Sequence, residues 1–174
     1  MVQAGKLPPL AERLPKQPKV VQVEKEFGRY GSTLFRGTAF LRSEWIPLHM
    51  TMESFTEVNW PIPGDGPVHP NVARDWSYNA DGTEMIVYLR EGMKWSDGED
   101  FTADDIVFWW ENVETNTDIQ SKPRGFLVIG GEQATVTSSD DYTVTFSWSK
   151  PNGLDRKSTR LNSSHDQISY AVFC

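Results

Sequence analysis

Asp81-Gly82 lies between two alternating runs, WSYN before it and TEMIVYLR after it, and no other feature restricts the folding of this chain as strongly. A turn of this kind needs backbone at positive φ, which Asp and Gly tolerate, so the flanking runs are predicted to pair as a β-hairpin. After GMKWSDG comes FTADDIVFWWENVETN, which carries the marks of a helix start. Thr102 stands at the N-cap, Asp105 can reach back to close a capping box, and Phe101 with Ile106 has hydrophobic-staple spacing. Ile106, Trp109, Trp110 and Val113 then recur at i, i+3, i+4 and i+7, so the helix, predicted from Ala103 to about Glu114, buries one broad face. A second hairpin is predicted in ATVTSSDDYTVTFSW, where Tyr142, Val144, Phe146 and Trp148 alternate with Thr143, Thr145 and Ser147. The fold class is α+β.

Elsewhere the punctuation is denser. Residues 3–26 hold four of the 11 prolines and no sustained helical stripe, which predicts an extended arm lying on a neighbouring lobe. Gly28 and Gly31 precede an alternating, aromatic-rich run at 33–40 that reads as one strand. Between 41 and 70, Pro47, Pro61, Pro63, Pro67, Pro70 and the sequence GDG predict a loop-rich crossing. From Asp155 the text DRKSTRLNSSHDQISYAVFC continues no earlier period and resembles the translation of a common short-read sequencing adaptor. Residues 155–174 are therefore set aside as an artefactual tail, with the native protein expected to be cut at about Leu154.

A length of 174 residues with seven Trp and nine Phe allows a real core, and a charged fraction of 24% is ordinary for a globular chain. The formal net charge of -7 and the lack of a basic stripe argue against nucleic acid as a partner. No apolar run is long enough to span a bilayer, and residues 1–9 have no apolar h-region, so an export signal is expected outside this chain. Cys174 is the single cysteine, which excludes an internal disulfide framework.

Candidate chemistry is thin. Asp104 and Asp105 could act as an acid/base pair, but in a first helical turn carboxylates favour the exposed N–H groups and the macrodipole. Trp109 and Trp110 could stack a sugar or nucleobase, yet they fit the helical stripe and their side chains diverge by about 100° around a helix. His49, Met50 and Met52 are a loose soft-metal cluster, Ser96 and Asp97 have no nearby histidine except the distant His69, and Gly130-Gly131 lacks phosphate-loop spacing. No catalytic residue, metal or cofactor is expected. A carbohydrate-binding module or glycosidase fragment is the alternative reading, and it would place tryptophans on a strand face or loop.

One stretch, NVARDWSYNADGTEMIVYLREGMKWSDGEDFTADDIVFWWENV, resembles the central signature of the bacterial family 5 solute-binding proteins, the peptide- and nickel-binding class of ABC importers. The resemblance is carried by Pro70, Val72, Ala73, Trp76, Asp81, Gly82, Leu89, Arg90, Gly92, Trp95, Asp97, Gly98, Phe101, Thr102, Ala103, Asp105, Ile106 and Phe108. Val72 stands for the usual Leu and Tyr88 for the common Phe or His. The opening AGKLPPLAERLPKQPKVV also looks like the leader of one subgroup, so the likeness covers most of residues 3–150.

The resemblance implies a type II periplasmic-binding-protein fold: two α/β lobes with a hinge, and a small extra domain on the N-terminal lobe. Residues 1–26 would be the arm, 27–45 the start of that lobe, and 46–150 the small α+β domain. By the same analogy solute lies between the lobes, with Ala39, Phe40, Leu41, Arg42 and Trp45 as the expected contacts. Trp76, Trp95, Asp97, Gly98, Phe101, Thr102 and Asp105 would make the fold rather than touch ligand. The implied partners are a small solute, peptide first, and the ABC permease subunits, on the periplasmic or extracellular side of the membrane. Membrane association would come only through the transporter or an N-terminal anchor beyond this chain. A chain ending near Leu154 would hold one side of the cleft and bind solute at about millimolar or weaker.

Overall fold

The computed structural model describes residues 8–21, 53–58, 68–119 and 125–152, the side chains of Val58 and Phe126 apart. The strand expected at 33–40, the candidate contacts Ala39, Phe40, Leu41, Arg42 and Trp45, the group His49, Met50 and Met52, and the tail at 155–174 all lie outside the described residues. In chain order the elements are α1 (Leu10–Arg13), β1 (Thr56–Val58), β2 (Val68–Pro70), β3 (Ala73–Tyr78), β4 (Glu84–Leu89) and α2 (Ala103–Trp109), whose last turn widens into a π turn at Trp110–Glu114. A 3-10 turn at Gly125–Leu127 leads into β5 (Val128–Ile129), β6 (Glu132–Gln133), β7 (Thr135–Asp140) and β8 (Thr143–Ser147).

Both predicted hairpins form, and they join edge to edge. β3 pairs with β4, β4 with β8 and β8 with β7, all antiparallel, so the sheet order is β3-β4-β8-β7. The first turn places Gly82 at φ 67, and the Asn79 side chain closes it by accepting the N–H groups of Thr83 (2.9 Å) and Glu84 (3.1 Å). Alternation then divides each strand between two faces. On β4, Met85, Val87 and Leu89 are buried while Glu84 is exposed; on β8, Val144 and Phe146 are buried while the threonines between are half-covered.

Helix α2 lies across the buried face against β7 and β8, and its first N–H, from Ala103, is bonded to Asp141 O in the turn between them at 2.7 Å. The core beneath it joins Val87, Leu89, Ile106, Trp110, Leu127, Val136, Val144, Phe146 and Trp148. Each such large apolar side chain contributes about 1.5–3 kcal/mol by leaving water. The buried stripe of the helix differs from the expected one: Ala103, Ile106, Trp110 and Glu114 are buried, whereas Trp109 and Val113 are half-covered. Positions 106, 110 and 114 follow the four-residue spacing of one face, so a glutamate takes the place for which apolarity had favoured Val113.

Two further features depart from expectation. The region read as a loop-rich crossing contains the antiparallel ribbon β1–β2, with Thr56 opposite Pro70. Three-residue strands among prolines leave too short a run for alternation to register. The N-terminal arm contains the helical turn α1, which starts after Pro8-Pro9, positions compatible with a helix N-terminus. Among the described residues the arm lies beside the end of β4: the Lys16 N–H donates to Glu91 O at 2.9 Å.

Candidate functional site

The loop between β4 and α2 is built around one carboxylate. The Phe101 N–H returns to Met93 O at 2.9 Å, the Trp95 N–H to Glu99 O at 2.8 Å and the Gly98 N–H to Trp95 O at 3.0 Å, so residues 93–101 form a tight reverse loop. Gly98 stands at φ 101, which side chains rarely adopt, and the Asp97 carboxylate accepts the Glu99 N–H at 3.1 Å. The loop delivers Trp95 edge-on to Phe101, ring centroids 5.1 Å apart at 76°. It also aims the Trp95 indole N–H at Asp105 Oδ2, 3.1 Å away. The same oxygen accepts the Thr102 N–H at 2.8 Å, the tighter half of the capping box; the return contact from the Thr102 side chain is looser. Asp105 Oδ2 is thus shared by two structural donors, the Trp95 indole N–H and the Thr102 backbone N–H.

The remaining candidates have equally specific positions. Asp104 is exposed and accepts a hydrogen bond from the Ser138 hydroxyl at 3.2 Å. Trp109 and Trp110 have ring centroids 6.4 Å apart at 53°, so they present no common stacking plane. Trp76 stands on β3 opposite Val87 and packs half-buried against the core. His69 sits on β2 opposite Glu57, and Gly130 and Gly131, at φ 64 and φ 87, make the β5–β6 turn. Among the described residues no group of three His, Cys, Asp or Glu side chains comes together, and no helix is long and apolar enough to cross a membrane.

A groove of about 250 Å³ runs between the arm and the module, with Leu14, Pro15 and Pro18 on one side and Asn71, Val72, Arg90 and Met93 on the other. Arg90 spans it. Its Nε donates to Asn71 O at 2.6 Å and its Nη1 to Gln17 O at 2.8 Å. Lys16 Nζ pairs with Glu91 at 2.9 Å, and Lys19 reaches Glu57 and the Asn71 side chain. The Lys16 pairing holds the Glu91 carboxyl below its usual range and raises the Lys16 ammonium. Sequence reasoning placed Arg90 in the family phrase but gave it no task. Both its acceptors are backbone carbonyls, which every residue carries, so no pattern of residue types points to them.

The profile of the bacterial extracellular solute-binding proteins, family 5 Middle, matches residues 67–172, a span that takes in most of the stretch set aside as adaptor-like. The periplasmic alpha-galactoside-binding protein of Rhizobium meliloti (strain 1021) is 31% identical over 164 residues, covering 84% of this chain and 24% of that protein. Among solved structures, an oligopeptide-binding protein OppA superposes with a TM-score of 0.74 at 37% identity, covering 88% of this chain and 23% of that one. The periplasmic binding protein MelB of agrobacterium fabrum C58, in complex with stachyose, superposes with a TM-score of 0.54 at 30% identity, covering 84% and 24%. The chain therefore spans about a quarter of the length of these relatives, and the OppA likeness places it in the periplasmic-binding-protein fold expected of the sequence.

Proposed function

The chain belongs to the bacterial extracellular solute-binding proteins, family 5, and on that premise we propose that it serves the solute-capturing component of an ABC importer, outside the cytoplasmic membrane. The observation that carries this reading is the superposition on OppA over 88% of the chain, with a TM-score of 0.74. In this reading the described module is a scaffold, and Trp76, Trp95, Asp97, Gly98, Phe101, Thr102 and Asp105 keep its shape. Solute contact is assigned to Ala39, Phe40, Leu41, Arg42 and Trp45, and delivery to permease subunits. The protein binds and releases its solute without chemical change. Supporting that last point, Asp105 is committed to two N–H donors and Asp104 to a serine hydroxyl.

Peptide is the first solute class, from the OppA likeness. A second reading, an α-galactoside oligosaccharide, rests on the relative named for such sugars and on the MelB structure holding stachyose. Calorimetric titration of the product of the reading frame that encodes this sequence, with tri- to pentapeptides and with stachyose in separate runs, distinguishes them. Saturable binding of one class assigns the solute; binding of neither by folded protein overturns the proposal.

A further inference from the structure

The arm is fastened to the module mainly through polar groups; Pro15 is half-buried beside the groove, but the larger apolar side chains of the arm stay mostly in water. No residue of α1 is buried, and Leu10, Leu14, Val20 and Val21 are 59%, 46%, 75% and 72% exposed. No arm residue belongs to the described core. What fastens the arm is a short series of hydrogen bonds and ion pairs from residues 16–19: two to Glu91, one from Arg90 to Gln17 O, and Lys19 to Asn71 and Glu57. Lys16 and Glu91 are themselves well exposed, with side-chain accessibilities of 75% and 43%. Exposed ion pairs are weak and screened by salt, and a segment with little apolar burial lies at the low end of local stability.

We propose that residues 13–19 form a releasable strap over the groove beside β4, with Arg90 as its clasp. The guanidinium is anchored on the module side by Asn71 O and extends its other arm to the strap at Gln17 O. One planar side chain therefore couples the strap to the loop preceding β3. Lysine at this position would keep the charge but lose the fork that satisfies both carbonyls at once. Opening the strap leaves the sheet and α2 intact because the core contains none of it. It frees the Glu91 carbonyl and the Nη1 arm of Arg90, while Nε stays on Asn71 O. Closure is intramolecular, and its strength falls with ionic strength.

The strap contains trypsin sites at Arg13, Lys16 and Lys19, so its opening can be read directly. The full chain is digested briefly, cleavage at Lys16 and Lys19 is quantified by mass spectrometry, and rates are normalised to a short lysyl peptide. When opening is fast, cleavage reports the open population. Arg90→Lys is expected to raise strap cleavage about five- to ten-fold at low salt, the equivalent of one lost hydrogen bond. Glu91→Gln, which keeps the carbonyl and removes the ion pair, is expected to flatten the salt dependence. Tryptophan fluorescence stays native in both. Equal cleavage in both variants and wild type at every salt concentration overturns the proposal, as does strap cleavage that appears only together with loss of the fluorescence signal.

Discussion

Trp95 donates its indole N–H to Asp105 across 3.1 Å, and through that bond the reverse loop after β4 is tied to the first turn of α2. Trp95→Phe keeps the ring against Phe101 and removes the donor, with an expected loss of about 0.5–1.5 kcal/mol. Thr102→Ala is expected to cost about 0.5–2 kcal/mol. Because Trp95 and Thr102 share one carboxylate oxygen, a cycle pairing Trp95→Phe with Asp105→Ala should show a coupling of about 0.5–3 kcal/mol in denaturant titrations. Strict additivity would mean that the bond does not hold the loop.

Trp110 and Phe108 test the orientation of the helix. Trp110 is 7% exposed in the core and Phe108 is 63% exposed on the opposite side. Trp110→Ala is expected to cost about 3–5 kcal/mol, against less than about 0.5 kcal/mol for Phe108→Ala. Similar midpoint shifts in urea for the two variants would refute the placement of α2.

Much of this module could be read before its structure was seen, and the reasons are local. Asp81-Gly82 and the alternation on either side of it specify both turn and register, and Thr102 with Asp105 marks a helix start within four residues. Glu114 could not be read as buried, because charge argues for solvent and the face it shares with Ile106 and Trp110 became clear only once the helix was positioned. The pairing of β1 with β2 joins Thr56 to Pro70 across a proline-rich stretch, where short strands carry no period. Arg90 acts on backbone carbonyls and leaves no trace in residue types. The assigned solute contacts at 39–42 and 45 rest on family resemblance alone.

Asp140 closes the β7–β8 turn, accepting the Tyr142 N–H at 2.8 Å, and its carboxyl is held below the ordinary value of 3.8, first by that backbone N–H and then by the Thr143 hydroxyl. A depressed folded pKa contributes stability that is present above the unfolded value and lost as pH falls through the folded one. The Asp140 carboxyl resonance should therefore titrate with a midpoint below 3.8, and Asp140→Asn should reduce the loss of stability on acidification in that range. A midpoint at or above 3.8 would contradict the turn geometry.

Residues 155–174 are expected to add nothing to the stability of the module, given their likeness to translated adaptor. Truncation after Leu154 should leave the urea midpoint and slope unchanged. A clear drop in either would show that the tail, which the family profile overlaps, packs on the rest.

Solute capture is most directly tested by calorimetry on the whole protein, the full product of the native reading frame rather than residues 1–154 alone, with its folding checked by tryptophan fluorescence. Tri- to pentapeptides and stachyose are titrated separately, and the solute is recovered and analysed afterwards. The expected result is saturable one-to-one binding of one class, at about 1 μM or tighter, roughly -8 kcal/mol, with the solute recovered unchanged. Folded protein that gives no saturable heat with either class, or solute that returns chemically altered, would contradict the assignment.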